Sequence, residues 1–313
     1  MVDAFLPDDQ KVTALRELLP ATGAGVYLDV ASAGPLPAET SAALAEADEW
    51  ELRVGRGGMD RRADLEQRDA EARAVMAALL AADPDDIVIT HGARDGRLRL
   101  SSCGIGAAAG HPIFDASSVA GAEALAVGEL GVDAVVLDGH RWLLGPQPSG
   151  AVWLAPRLRS YRSAVERAGD QMGRRQLLGL ARSVGWLEMY VGLPWIYRRT
   201  ASLAGYLSER LSAIPGVELT AAADAPPAVV LFEIQGWPSA SAAEELSHRV
   251  QAILGLSVGG QRVALRASVG CWNTTEELDR FAAGVALLAA HAPGALPARA
   301  GLIILGSAGE DGR

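Results

Sequence analysis

The segment Asp138-Gly139-His140-Arg141-Trp142-Leu143-Leu144-Gly145-Pro146 puts a carboxylate, an imidazole and a guanidinium within four residues, ahead of an apolar run that ends on glycine and proline. A second arginine, Arg266, stands in Leu265-Arg266-Ala267-Ser268. Guanidinium forks suit carboxylates and phosphates, and clustered cations in a cleft are natural anion sites. Arg141, His140 and Arg266 are therefore candidates for binding a small carboxylate or phosphate. Asp115 is a further candidate, because it closes a short apolar run just as Asp138 does. Chemistry that needs an amine has little to draw on, since Lys11 is the chain's only lysine. Cys103 and Cys271 are too few for a disulfide framework and lack the spacing of metal ligands; they are read as free thiols, and no metal site is expected.

The elements that must position these residues follow from breakers and periodicity. A helix is predicted near 8–19, an extended segment over 26–30, and a turn at Ala33-Gly34-Pro35-Leu36-Pro37 that opens a helix reaching about Arg53. After Gly55-Arg56-Gly57-Gly58 a longer helix over 60–82 carries Leu65, Ala72, Val75, Met76 and Leu79 on one stripe. Strands are predicted at 85–90, 112–115, 134–137 and 151–154, the first delivering the chain to Gly92. Their alternation with helices implies a shortened, mostly parallel α/β sheet, whose ligands sit beyond the carboxyl ends of its strands. From about Gly179 the pattern changes. Helices over 179–190 and 195–213 precede strands at 228–234 and 263–268 that flank a helix over 242–254. A last helix is marked by Asn273 or Thr274 as cap, with Thr274 and Glu277 forming a capping box. The expected organisation is an N-terminal segment and shortened large domain over 1–178, a small α+β domain over 179–293, and a flexible tail over 294–313.

Composition narrows the function classes. The chain has 313 residues, half of them hydrophobic, and a net charge of −10. That charge argues against a nucleic-acid surface, which needs clustered cations. No apolar run approaches the roughly 20 residues that span a bilayer, and the first ten residues lack the basic and apolar regions of a leader. A cytoplasmic protein without a membrane or nucleic-acid partner is expected.

Four motifs occur in order: Tyr27-Leu28-Asp29 followed by Gly34-Pro35-Leu36-Pro37; Asp115-Ala116-Ser117-Ser118; Gly139-His140-Arg141-Trp142-Leu143-Leu144-Gly145-Pro146; and Leu265-Arg266-Ala267-Ser268 with Asn273-Thr274-Glu276-Glu277-Leu278-Asp279. Together they resemble the class V aminotransferase family of fold type I pyridoxal-phosphate (PLP) enzymes, which includes cysteine desulfurases, isopenicillin N epimerase-like proteins and ergothioneine C–S lyases. The resemblance covers nearly the whole chain. It implies that Asp115 would hold the cofactor's pyridine nitrogen protonated, and that Arg266 would hold a substrate carboxylate. His140 would lie beside the cofactor phosphate, and Gly92 would open the turn whose amides approach it.

The departures from that pattern bear on the chemistry. Arg141 occupies the cofactor-lysine position, and a guanidinium stays protonated and is not an available nucleophile. Asp138 stands where the family has a hydroxyl donor to the phosphate, and a carboxylate there repels a dianion. Ala93 lacks the hydroxyl expected after Gly92, and Ser118 replaces a glutamine that would reach the cofactor ring's oxygen. Gly173-Arg174 falls where the resemblance puts a Gly-Thr pair reaching the partner subunit's phosphate, and Arg174 is a possible anion contact. Only 22 residues, 93–114, separate Gly92 from Asp115, less than one βαβ unit of about 30 residues. A tight patch over 97–106 is expected across that gap. The expectation is a degenerate, class V aminotransferase-like protein, a homodimer or the partner of a full-length paralogue, acting in binding or regulation. An active PLP enzyme on an amino acid, holding its cofactor noncovalently, and a carboxylate-binding or phosphate-binding protein using Arg141 and Arg266 are the alternatives.

Overall fold

The computed structural model describes residues 7–220, 226–259 and 262–297. Its helices are α1 (Asp8–Glu17), α2 (Ala38–Val54), α3 (Gly58–Leu80), α4 (Ala93–Ser102), α5 (Arg162–Arg167), α6 (Arg174–Trp186), α7 (Leu193–Ser212), α8 (Ser239–Val250) and α9 (Thr275–Ala289). The strands are β1 (Val26–Leu28), β2 (Ile87–Thr90), β3 (Ile113–Asp115), β4 (Ala134–Asp138), β5 (Gly150–Leu154), β6 (Val217–Thr220), β7 (Val229–Ile234), β8 (Ala252–Gly259) and β9 (Arg262–Ser268). They form a four-stranded sheet ordered β2-β5-β4-β3 and a five-stranded sheet ordered β1-β8-β9-β7-β6.

The four-stranded sheet is short, but its pairing is mixed. β3 and β4 are parallel, whereas β4–β5 and β5–β2 are antiparallel. The reason lies in the connections. β2, β3 and β4 run the same way, and the chain turns back after β4 so that β5 enters between β4 and β2 in the opposite direction. Both faces of β2, β4 and β5 are covered, so these strands are apolar up to their last residues. Val135 and Leu137 of β4 pack with Ile87, Ile89, Ala151 and Trp153 on one face, beneath α3 and α6. Ala134 and Val136 pack with Val88, Val152 and Leu154 on the other, against Leu100 of α4 and Val165 of α5. This alternation of successive side chains fixes the register.

The five-stranded sheet packs on α7, α8 and α9 through Leu203, Leu207, Phe232, Leu246, Leu265, Phe281 and Val285. β1 joins it by pairing in parallel with β8. A third cluster, which includes Trp142, Trp186, Trp272 and Leu15, ties α1 and the loop after β4 to the segment after β9.

Several expectations need correction. The helix predicted over 242–254 ends at Val250; Gln251 takes a left-handed backbone (φ 55°), and the chain continues as β8. That reversal is invisible in an apolar run whose composition suits either element. β6, too short and polar to show alternation, was not expected at all. The patch predicted over 97–106 is mostly helix: α4 starts directly after Gly92 and runs to Ser102. The strand predicted from 85 begins at Ile87, because Asp83 caps a single turn over Pro84–Asp86. The helix predicted over 179–190 begins earlier, at Arg174, and ends in a wider turn over Leu187–Val191. The tail expected over 294–313 lies, from 298 on, outside the described residues. No helix among the described residues is long and apolar enough to cross a membrane.

Candidate functional site

β3 and β4 end side by side, and their last residues are Asp115 and Asp138. Beyond them the chain turns sharply. The Gly139 amide donates to Ser149 (2.7 Å), Gly145 to Gly139 (2.8 Å) and Leu144 to Arg141 (3.0 Å). Gly34 donates to the His140 carbonyl (2.9 Å) and packs so tightly on Leu144 and the Arg141 carbonyl that a Cβ there would clash with both. The loop after β1 thus clamps the loop after β4.

Asp138 is the most heavily engaged residue of the site. Its backbone N–H donates to Ser117 Oγ (3.1 Å), and its Oδ1 accepts the Ala93 backbone N–H (2.9 Å). Its Oδ2 pairs with Arg141 Nη2 at 2.9 Å, and the carboxylate side chain is only 12% exposed. The helix that Ala93 begins has no side-chain cap of its own, since its N-cap is Gly92 at φ 124°. An added Cβ at Gly92 would lie 2.7 Å from Asp138 Oδ1. Glycine is needed there both for its backbone and to admit the carboxylate. Asp138 therefore serves as a long-range cap on α4, contributed from 45 residues along the chain, and a carboxylate suits a helix N-terminus for its dipole.

Around this pair, His140 is half-buried, and its imidazole is held below its ordinary pKa. Burial is the main cause; the Asp138 charge opposes it and the Arg141 charge adds to it. His140 Nδ1 and Arg141 Nε are buried without hydrogen-bond partners among the described residues. Asp115 accepts the Ser117 N–H (3.0 Å) and pairs with Arg97 of α4 at 3.3 Å. Ser118 is partly buried one residue further on. The hydroxyl that reaches Asp138 is that of Ser117, which the sequence reading did not single out.

Arg266 lies on β9 of the other sheet, where Nη2 donates to Asp29 Oδ1 (2.9 Å) and to Ser32 Oγ. The loop from Asp29 to Gly34 thus touches Arg266 at one end and the His140–Arg141 segment at the other. Both guanidiniums of the candidate site are paired with this chain's own carboxylates. Arg174 is likewise engaged, buried against Asp64 (2.9 Å) and stacked over Trp50. Lys11 is buried in α1 with its ammonium 4.5 Å from the centre of the Trp195 ring. Cys271 is buried, and its thiol is pushed up to about 12 by desolvation. Among the described residues no cluster of histidine, cysteine and carboxylate side chains could hold a metal ion.

Residues 172–281 match the family model for class-V aminotransferases. The whole architecture matches solved structures that carry this fold. An apo cysteine desulfurase from Thermococcus onnurineus NA1 superposes with a TM-score of 0.75 at 16% identity, over 93% of this chain and 100% of that one. A mutant of C-DES with glycine covalently linked to its PLP cofactor gives 0.74 at 15% identity, over 87% and 98%. The chain is class V aminotransferase-like over residues 172–281 and shares the fold of these structures. The cysteine desulfurase CsdA of Escherichia coli gives 0.69 at 18% identity, over 88% of this chain and 97% of that one. No curated protein matches the sequence.

PLP is the cofactor that this likeness implies. The residues of this class V aminotransferase-like chain do not fit the group. At position 141, where the sequence resemblance expects the amine that would hold it, stands a guanidinium in an ion pair, and the amide at the start of α4 already bonds a carboxylate. A phosphate dianion brought to that amide would meet Asp138 at short range, where like charges repel strongly.

Proposed function

We propose that this class V aminotransferase-like protein has lost Schiff-base chemistry and acts as a binding or regulatory partner of a protein of the same fold. The observation that carries this reading is the Asp138–Arg141 pair seated on the Ala93 amide. It puts a pair of mutually neutralised charges where a reactive amine and a receptive amide would be needed. The same pairing of Arg266 with Asp29 leaves the substrate-carboxylate position occupied from within the chain. Both sheets keep closed apolar cores, which supports a role carried by a surface rather than by a reaction. A second copy of the chain, or a family member that retains its lysine, is the partner this reading favours. A cytoplasmic location is consistent with it.

The test is association. The purified chain is run on size exclusion with light scattering, alone and mixed with a cysteine desulfurase that retains its lysine. The expected outcome is a stable dimer of the chain or a mixed complex, the latter with altered desulfurase turnover. A strictly monomeric chain that neither binds that enzyme nor changes its turnover would contradict the reading.

A further inference from the structure

We infer that Asp138, independently of the missing lysine, is the specificity-determining residue that excludes phosphate groups from the site, by acting as the chain's own anion at the start of α4. The inference builds on the reading that the cofactor site is lost, and it says which residue closes it.

Three observations converge. The first amide of α4 is bonded, but by a carboxylate from the end of β4 rather than by a residue of its own turn. Gly92 leaves a gap that admits a ligand atom against the backbone, and Asp138 Oδ1 fills it. Arg141 supplies a counter-charge on the carboxylate's far side, and its Nε is buried with no partner among the described residues. An exposed amide at a helix N-terminus, an adjacent guanidinium and a gap lined by glycine are what an anion requires. Here the anion is covalently part of the chain, so it competes with a free anion at a high effective concentration.

The other charged groups near this end of α4 do not change the conclusion. Asp95 accepts the His91 N–H and is paired with Arg99 at 2.9 Å, so its charge is already balanced. Arg97 is taken by Asp115. Without the Asp138 charge, Arg141 becomes the unbalanced cation beside the Ala93 amide. The site then changes from self-filled to receptive. Restoring an amine at 141 while leaving Asp138 in place does not open it.

Inorganic phosphate is the probe, titrated by calorimetry into the folded full-length chain and into Asp138→Asn and Asp138→Ser. The asparagine variant keeps an Oδ1 acceptor for the Ala93 amide, the shorter serine variant leaves that amide to the ligand, and circular dichroism confirms the fold of each. At least one variant should bind phosphate about tenfold or more tightly than the parent chain, one charge-assisted contact's worth. Adding Arg141→Gln should remove that gain. If the parent chain binds phosphate as tightly as the folded variants, or if neither folded variant gains affinity, Asp138 is not the excluding residue. The outcome is separable from that of the functional reading: a parent chain that binds PLP tightly would end the claim of cofactor loss, whatever the Asp138 variants do with phosphate.

Discussion

At the scale of single residues, two exchanges work as one. Where the sequence resemblance expects an amine and a hydroxyl, Arg141 and Asp138 form a pair at 2.9 Å that also caps a helix. The sequence made each exchange legible, because both fall in a recognisable run of residues. Their cooperation was not legible, since the Ala93 amide comes from a different strand-to-helix turn, and nothing local to 138 predicts that contact. Asp29 and Ser32, which engage Arg266, were hidden for the same reason. His140 provides a test through pH. Its folded pKa lies below the ordinary 6.5, so the unfolded chain binds the proton more readily and protonation opposes folding. Its contribution is complete above about 6.5 and is lost as the pH falls below that value. Thermal melts from pH 8 to 5 should show a fall in Tm that is shallower in His140→Gln, and equal slopes would exclude the residue.

At the scale of elements, what was readable depended on how local the controlling contacts are. The α9 capping box lies within four residues, and it forms as expected: Thr274 Oγ1 accepts the Glu277 N–H, and Glu277 accepts the Thr274 N–H. Glu277 also pairs with Arg16 of α1 at 2.8 Å and accepts from Asn273, so it joins two helices as well as starting one. Thr274→Ala should cost about 1 kcal/mol, the ordinary value of a cap. Glu277→Ala should cost more, because it also leaves Arg16 and Asn273 without their carboxylate; urea denaturation would check the order, and equal losses would reduce Glu277 to a cap. By contrast α4, β6 and β8 were missed. α4 begins on a glycine whose cap arrives from β4, and the end of α8 turns on the backbone of one residue, Gln251. Neither signal is written in periodicity.

At the scale of the whole molecule, the fold class and the shortened sheet could be read from motif order and from the 22 residues between Gly92 and Asp115. The mixed pairing of the strands could not, because it comes from the one strand, β5, that turns back after β4 and inserts beside β2. What unites the two sheets is the tryptophan-rich cluster around Trp142, Trp186 and Trp272. Trp272 is 2% exposed, lies edge-on to Tyr27 and adjoins the segment that fixes the loop after β1. Trp272→Ala should cost about 3–5 kcal/mol, as for other buried aromatics. It should also loosen the clamp on His140–Arg141, seen as faster amide exchange at Gly34. A cost below about 1 kcal/mol, typical of surface positions, would show that the sheets are held together elsewhere.

The proposed loss of the cofactor site is tested most directly by adding PLP to the unmodified chain while recording the visible spectrum and the melting temperature together. The spectrum should equal that of free PLP plus protein, with no change in Tm. A new visible band that saturates at one PLP per chain, together with the stabilisation of about 2.7 kcal/mol that a specific ligand confers at a hundred times its Kd, would contradict the claim that Asp138 and Arg141 have closed the site.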